Sequence, residues 1–125
     1  MSTNDLILTY LDIWNERDVA AREALMTSVL TDDSFYSDPD YAGLRGHAEL
    51  SKAIGKAQQN FGDLSFTLDT VISAHHDRAL FTWRLGTVAT GYDVVDFTGD
   101  LDKGLPVLLG EASRRCGCAT PAAAA

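Results

Sequence analysis

The apolar residues of this chain change period once, and that change constrains the fold more than any other feature. Leu6, Ile7, Tyr10, Leu11 and Trp14 recur at helical spacing and predict a helix over about residues 3–15, with Ser2 or Thr3 as its cap. Asn15-Glu16-Arg17-Asp18 interrupts it, and Asp18 reads as the cap of a second helix marked by Val19, Arg22, Leu25, Met26 and Val29. Thr31-Asp32-Asp33-Ser34 has the composition of a turn. Phe35-Tyr36-Ser37 suggests a short strand leading into Asp38-Pro39, and Gly43-Leu44-Arg45-Gly46 a loop. A third helix is expected over about residues 47–60, with Leu50, Ala53, Ile54 and Ala57 inward. Beyond this point the period shortens. Leu64 to Ala74 is rich in β-branched and aromatic residues, and His75-His76-Asp77-Arg78 suits a hairpin connection. From Ala79 to Thr90, Phe81, Trp83 and Leu85 fall on one face and Thr82, Arg84 and Thr87 on the other. Gly91 permits a bend or bulge before a further strand from Tyr92 to Thr98. Helices followed by antiparallel strands give an α+β fold, with three N-terminal helices on one face of a curved antiparallel sheet. Curling that sheet around the first helix leaves a cone-shaped cavity.

Composition narrows the classes of partner. The chain has 125 residues, enough for one domain, with 46% hydrophobic and 22% charged residues. Its net charge of −8 argues against a nucleic-acid surface and against binding to anionic membranes. No apolar run approaches the ~18 residues of a membrane span. The start, Met-Ser-Thr-Asn-Asp, lacks the basic region of a signal peptide, so a cytoplasmic location is expected. Residues 1–111 are expected to form the domain and 112–125 a disordered tail. Leu105-Pro106-Val107-Leu108-Leu109 could supply a last strand, which Pro106 would confine to an edge or a strand start. Cys116 and Cys118 read as tail thiols, since a single Cys-x-Cys neither closes a tetrahedral metal site nor frames disulfides.

Three residues carry the candidate chemistry: Tyr10, Asp38 of Asp38-Pro39, and Asp93 of Gly91-Tyr92-Asp93. A phenol and two carboxyl groups converging in an apolar pocket can take a proton from beside a carbonyl and hold the resulting enolate. Asp38, lodged among Tyr36, Tyr41 and Trp83, would lose hydration and become a better base. The same Asp-Pro also serves simply as a turn starter. Asp93 stands in an apolar strand, where a buried carboxyl must be protonated or paired; Gly91 leaves its direction open, because a bulge would reverse the alternation. Tyr10 shares a helical face with Leu6 and Trp14 and is read equally well as core. Trp14 and Trp83 suit pocket lining. His75 could reach the pocket, but neither it nor His76 sits in a spacing that completes a metal site. His47 fits a helix-start or surface role. With no phosphate loop, nucleophile elbow or Cys/His pair, no metal and no cofactor are expected.

Tyr10-x-x-x-Trp14-Asn15-x-x-Asp18, Asp38-Pro39, Gly43-x-x-Gly46, Phe81-x-Trp83 and Gly91-x-Asp93-Val94-Val95-x-Phe97 together resemble the NTF2-like superfamily in its SnoaL-like, ketosteroid isomerase-like branch, over about residues 4–100. The resemblance implies a cone-shaped α+β fold. It also implies a function among ketosteroid isomerases, polyketide cyclases, epoxide hydrolases, dehydratases and non-catalytic binding or dimerisation modules. On the isomerase pattern Asp38 would be the general base, with Tyr10 and a protonated Asp93 as donors to the oxyanion. The ligand would be a small apolar carbonyl compound, and the protein a homodimer through the outer face of the sheet. The family's usual ending is absent: Asp100-Leu101-Asp102-Lys103-Gly104 stands in its place.

Overall fold

Helix α1, Thr3–Asn15, forms where the spacing predicts it and buries Leu6, Ile7, Tyr10, Leu11, Ile13 and Trp14. Ile13 lies off the predicted stripe and is still fully buried, because α1 packs against other helices as well as against the sheet. The computed structural model describes residues 3–37, 41, 43–75, 78–97 and 108–115, with only the backbone at Phe97 and 108–115. Helix α2, Val19–Val29, starts as expected at Asp18, whose carboxylate accepts from the Ala21 N–H at 2.8 Å. Strand β1 is Leu30–Ser37, the two-residue β2 is Leu44–Arg45, and helix α3 is Gly46–Phe61. Strands β3, Phe66–His75, β4, Arg78–Leu85, β5, Ala89–Phe97, and β6, Leu108–Arg115, complete the order.

The strands form one sheet in the order β2-β1-β6-β5-β4-β3. Every pairing is antiparallel except β1 with β6, which is parallel. Two details differ from the sequence reading. Thr31 to Ser34 belongs to β1 and not to a turn; Asp32 and Asp33 are tolerated there because they are exposed where the β1/β6 register shifts, between Leu30 and Phe35. Gly91 makes no bulge and pairs with Trp83 in an unbroken β4/β5 ladder, while the turn falls at residues 86–88. Irregularities lie in β3, between Leu68 and Thr70 and between Val71 and Ser73, and along β6, where β1 shifts between Leu30 and Phe35 and β5 between Asp96 and Phe97. Such bulges bend and twist a strand, which is the curvature a cone needs. The last strand is described from Leu108, with pairing that runs to Arg115, and the expected Leu105-Pro106-Val107 part of it lies outside the described residues.

Buried polar groups tie helices to sheet. Arg22 is 2% exposed and donates to Glu16 O, Ser51 O, Ser51 Oγ and Gln58 Oε1 at 2.9–3.0 Å. Burial pushes its guanidinium below the usual range, while Glu16, Glu23 and Asp18 act the other way. Gln58 Nε2 donates in turn to Trp14 O at 3.0 Å and Glu16 O at 2.7 Å, so α3 holds the end of α1. Asn15 acts as one extra strand residue. Its Nδ2 donates to Phe66 O at 2.9 Å and its Oδ1 accepts from Phe66 N–H at 2.7 Å. That pair of bonds sets the end of α1 against the start of β3.

Candidate functional site

The inward faces of α1, β1, β3, β4 and β5 meet on one row of aromatic rings. On α1, Tyr10 and Trp14 are four residues apart and so share a face. The Trp14 Nε1–H donates to Tyr10 Oη at 2.8 Å. Trp14 lies 5.4 Å from Tyr36 of β1 and 5.9 Å from Phe66 of β3, measured between ring centroids. Phe66 stands edge-on to Trp83 of β4 at 5.0 Å and to Phe61 of α3 at 5.2 Å. At the far end of the row the Trp83 Nε1–H donates to Asp93 Oδ1 at 3.0 Å. The row therefore has a phenol at one end and a carboxyl at the other, each receiving an indole N–H.

The β4/β5 register explains why Asp93 points inward. Asp93 pairs with Phe81 and Gly91 with Trp83, and residues directly opposite in a ladder share a face. Phe81 and Trp83 face the core, so Asp93 does too, and it is only 4% exposed. Tyr10 is 1% exposed. A buried carboxyl at such a position is costly unless protonated or hydrogen-bonded. Ser34 adds a buried polar position on the Tyr36 side of β1; its hydroxyl has no hydrogen-bond partner among the described residues.

Tyr10, Trp14, Tyr36, Trp83 and Asp93 are thus brought together. Asp38 lies outside the described residues, directly after the end of β1 at Ser37. Tyr41 is partly buried, and its carbonyl accepts from Ser37 Oγ at 3.3 Å. His75 lies apart: it is exposed at the end of β3, opposite Arg78, and five residues along β4 from Trp83. At about 3.3 Å per residue that is roughly 17 Å. His47 contacts the Leu30 and Thr31 carbonyls through Nε2 at 3.2 and 3.0 Å, which is a structural role at the start of α3. The sequence reading missed Phe66 as lining. Its signal was Asn15, whose amide holds Phe66 in place, but a contact across 51 residues has no local pattern. Among the described residues no group of His, Cys, Asp or Glu could hold a metal ion. No helix among them is long and apolar enough to cross a membrane.

The match to known proteins agrees with this geometry. The SnoaL-like domain model matches residues 7–100. The chain belongs to the SnoaL-like domain family. A candidate isomerase of the SnoaL-like family from Agrobacterium tumefaciens superposes with a TM-score of 0.77 at 28% identity, covering 90% of this chain and 96% of that one. A candidate SnoaL-like polyketide cyclase from Jannaschia sp. CCS1 gives 0.63 at 14% identity, over 92% and 89%. A protein with a ketosteroid isomerase-like fold from Catenulispora acidiphila, solved with trimethylamine, gives 0.62 at 10% identity, over 90% and 85%. The last two likenesses concern fold alone. No curated protein matches the chain significantly. The NTF2-like, SnoaL-like resemblance read from the motifs is borne out, and with it the three helices on a curved sheet.

Proposed function

We propose that this SnoaL-like protein is a cofactor-independent enzyme that abstracts a proton next to a carbonyl in an apolar pocket, as an isomerase or cyclase. The observation that carries the reading is Asp93: a carboxyl 4% exposed, inward on a strand, at the end of an aromatic row that has Tyr10 at its other end. The Trp83 indole N–H needs an acceptor there, but a neutral amide or carbonyl oxygen would serve it as well as a carboxyl. Asp38, which follows the end of β1 at Ser37 in the sequence, is the base. Its carboxylate takes the proton from the carbon beside the carbonyl, and the electron pair of that C–H bond moves to the carbonyl oxygen. Tyr10 O–H and the protonated Asp93 donate hydrogen bonds to the enolate oxygen. Asp38 then returns the proton to another carbon, or the enolate carbon attacks a second carbonyl within the same molecule. Trp14, Tyr36, Phe66 and Trp83 supply the apolar surface, which favours a small carbonyl compound without charge. The isomerase description of the Agrobacterium tumefaciens relative supports this reading.

The protein acts as a homodimer through the outer face of the sheet. On that face Tyr92 is 42% exposed, with Leu80 and Val94 half-buried beside it, and Ile72 at the second β3 bulge is 56% exposed. The alternative reading, a non-catalytic module, rests on the same aromatic row, which would hold an apolar ligand without any base. Turnover of β,γ-unsaturated ketones and polyketide-like esters, without metal or nucleotide, separates the two. Asp38→Asn should lower kcat by roughly 10² to 10⁴, the range of a general base. Unchanged activity in Asp38→Asn, or activity lost to a chelator, would refute the mechanism. Tight binding of apolar ketones with no turnover at all would leave the binding module.

A further inference from the structure

We infer that the two tryptophans are positioning residues that decide where the protons of Asp93 and Tyr10 sit. This rests on the proposed role of those two groups as oxyanion donors. The chain has two tryptophans, and each gives its indole N–H to one of the two acids: Trp83 to Asp93 Oδ1 at 3.0 Å and Trp14 to Tyr10 Oη at 2.8 Å. An indole N–H can only donate. The oxygen it meets must therefore accept, and in a protonated carboxyl the carbonyl oxygen accepts far better than the hydroxyl. With Oδ1 receiving the indole, this bond favours the Asp93 proton on Oδ2. In the same way, the N–H on Tyr10 Oη occupies an acceptor position of the hydroxyl, so the phenolic O–H is directed as a donor elsewhere. The geometry is imposed by packing. Trp83 and Asp93 lie on adjacent strands of an unbroken ladder, and Trp14 and Tyr10 one helical turn apart. The Trp14 indole is wedged between Tyr36 and Phe66, and Phe66 stands edge-on to the Trp83 indole.

An indole donor also favours the ionised form of its partner, since hydrogen bonds to a charged oxygen are the stronger ones. Asp93 is thereby kept a more acidic donor than its burial alone would make it. The other titratable groups buried in the described structure are Tyr10, Tyr36 and Arg22, the last held between α2 and α3. On β4, the residues nearest Asp93 on its inward face are Phe81 and Trp83, neither of which titrates.

The test uses the full chain without substrate. Two indole N–H resonances are expected in a ¹⁵N-edited spectrum, one from each tryptophan. That of Trp83 should titrate with the midpoint of the Asp93 carboxyl carbon and stay flat in Asp93→Asn. That of Trp14 should respond to alkaline pH in the native chain and not in Tyr10→Phe. In Trp83→Phe, which keeps an aromatic ring, the Asp93 midpoint should rise by on the order of one pH unit. If Trp83→Phe leaves that midpoint in place while retaining the native amide spectrum, the inference fails. It fails also if the Trp83 resonance ignores Asp93. Should Trp83→Phe not fold, the titration of the native Trp83 resonance decides alone. Coupled titrations in a protein with no turnover would uphold the proton placement and sink the enzymatic reading, so the two failures are distinct.

Discussion

Among the described phenols and carboxyls, Tyr10 and Asp93 are set apart by the indole N–H that each accepts. Both are almost fully buried. This makes their substitution unequal. Asp93→Asn preserves shape: the amide oxygen can still accept from Trp83 and the amide N–H₂ can still donate toward a ligand oxygen. Tyr10→Phe removes the donor outright and leaves the Trp14 N–H without its acceptor. We expect Tyr10→Phe to raise the barrier by up to roughly 3–4 kcal/mol, the scale of one lost oxyanion donor, and Asp93→Asn to cost less. Both effects should appear in kcat more than in KM, because the enolate charge develops only in the transition state. Equal losses in the two variants, or losses confined to KM, would remove the oxyanion assignment. Asp93 was legible as a candidate from its strand, but its direction was not. Gly91 could have bulged, and only the partner strand shows that it does not.

Two local devices hold the elements in place around the site. Gly86 in the β4–β5 turn has φ +53, and a Cβ there would stand 2.6 Å from Leu64 Cδ2. The Leu64 side chain can yield, but the left-handed backbone cannot be relieved for an L-residue. Gly86→Ala should cost about 1–2 kcal/mol of stability, read as a lower urea midpoint with unchanged slope. A midpoint equal to the native one would show the turn relaxes. Asn15 is the second device. Asn15→Ala removes both bonds to Phe66 and should cost roughly 1–3 kcal/mol. Asn15→Asp keeps an acceptor for the Phe66 N–H but sets a carboxylate against the Phe66 carbonyl, so it should not rescue. Full rescue by Asp would mean that the Phe66 carbonyl does not need its donor. The helices were legible at this scale because their spacing is local. The β1 boundary was not, since Asp32 and Asp33 read as turn residues until the parallel pairing with β6, seventy-odd residues on, draws Leu30–Ser37 into the sheet.

At the scale of the molecule, the sheet has an inner face that carries the aromatic row and an outer face that is partly exposed. The outer face mixes apolar Leu80, Tyr92 and Val94 with the Arg78–Asp96 and Arg84–Asp69 ion pairs, at 2.6 and 3.1 Å. Exposed pairs of this kind contribute little to stability and suit a rim better than a centre. If the outer face is the dimer contact, light scattering should give twice the 13.5 kDa chain mass. Tyr92→Glu should then shift the protein toward monomer while leaving ligand-induced tryptophan fluorescence changes intact. A monomeric native protein at all concentrations would remove the dimer.

The sequence by itself determined what its near neighbours enforce. The helical stripe placed Tyr10 beside Trp14, the alternation placed Phe81 and Trp83 on one face, and the Asp18 cap started α2, because each depends on contacts within a few residues. The tertiary structure alone decided what depends on distant partners. Arg22 is buried because α3 brings Ser51 and Gln58 to it. Phe66 joins the aromatic row because Asn15 reaches across from α1. Asp93 turns inward because β4 extends an unbroken ladder past Gly91. A single strand or helix specifies its own period, but the side on which a charged residue ends depends on which acceptors and donors the rest of the chain delivers there, and those lie tens of residues away.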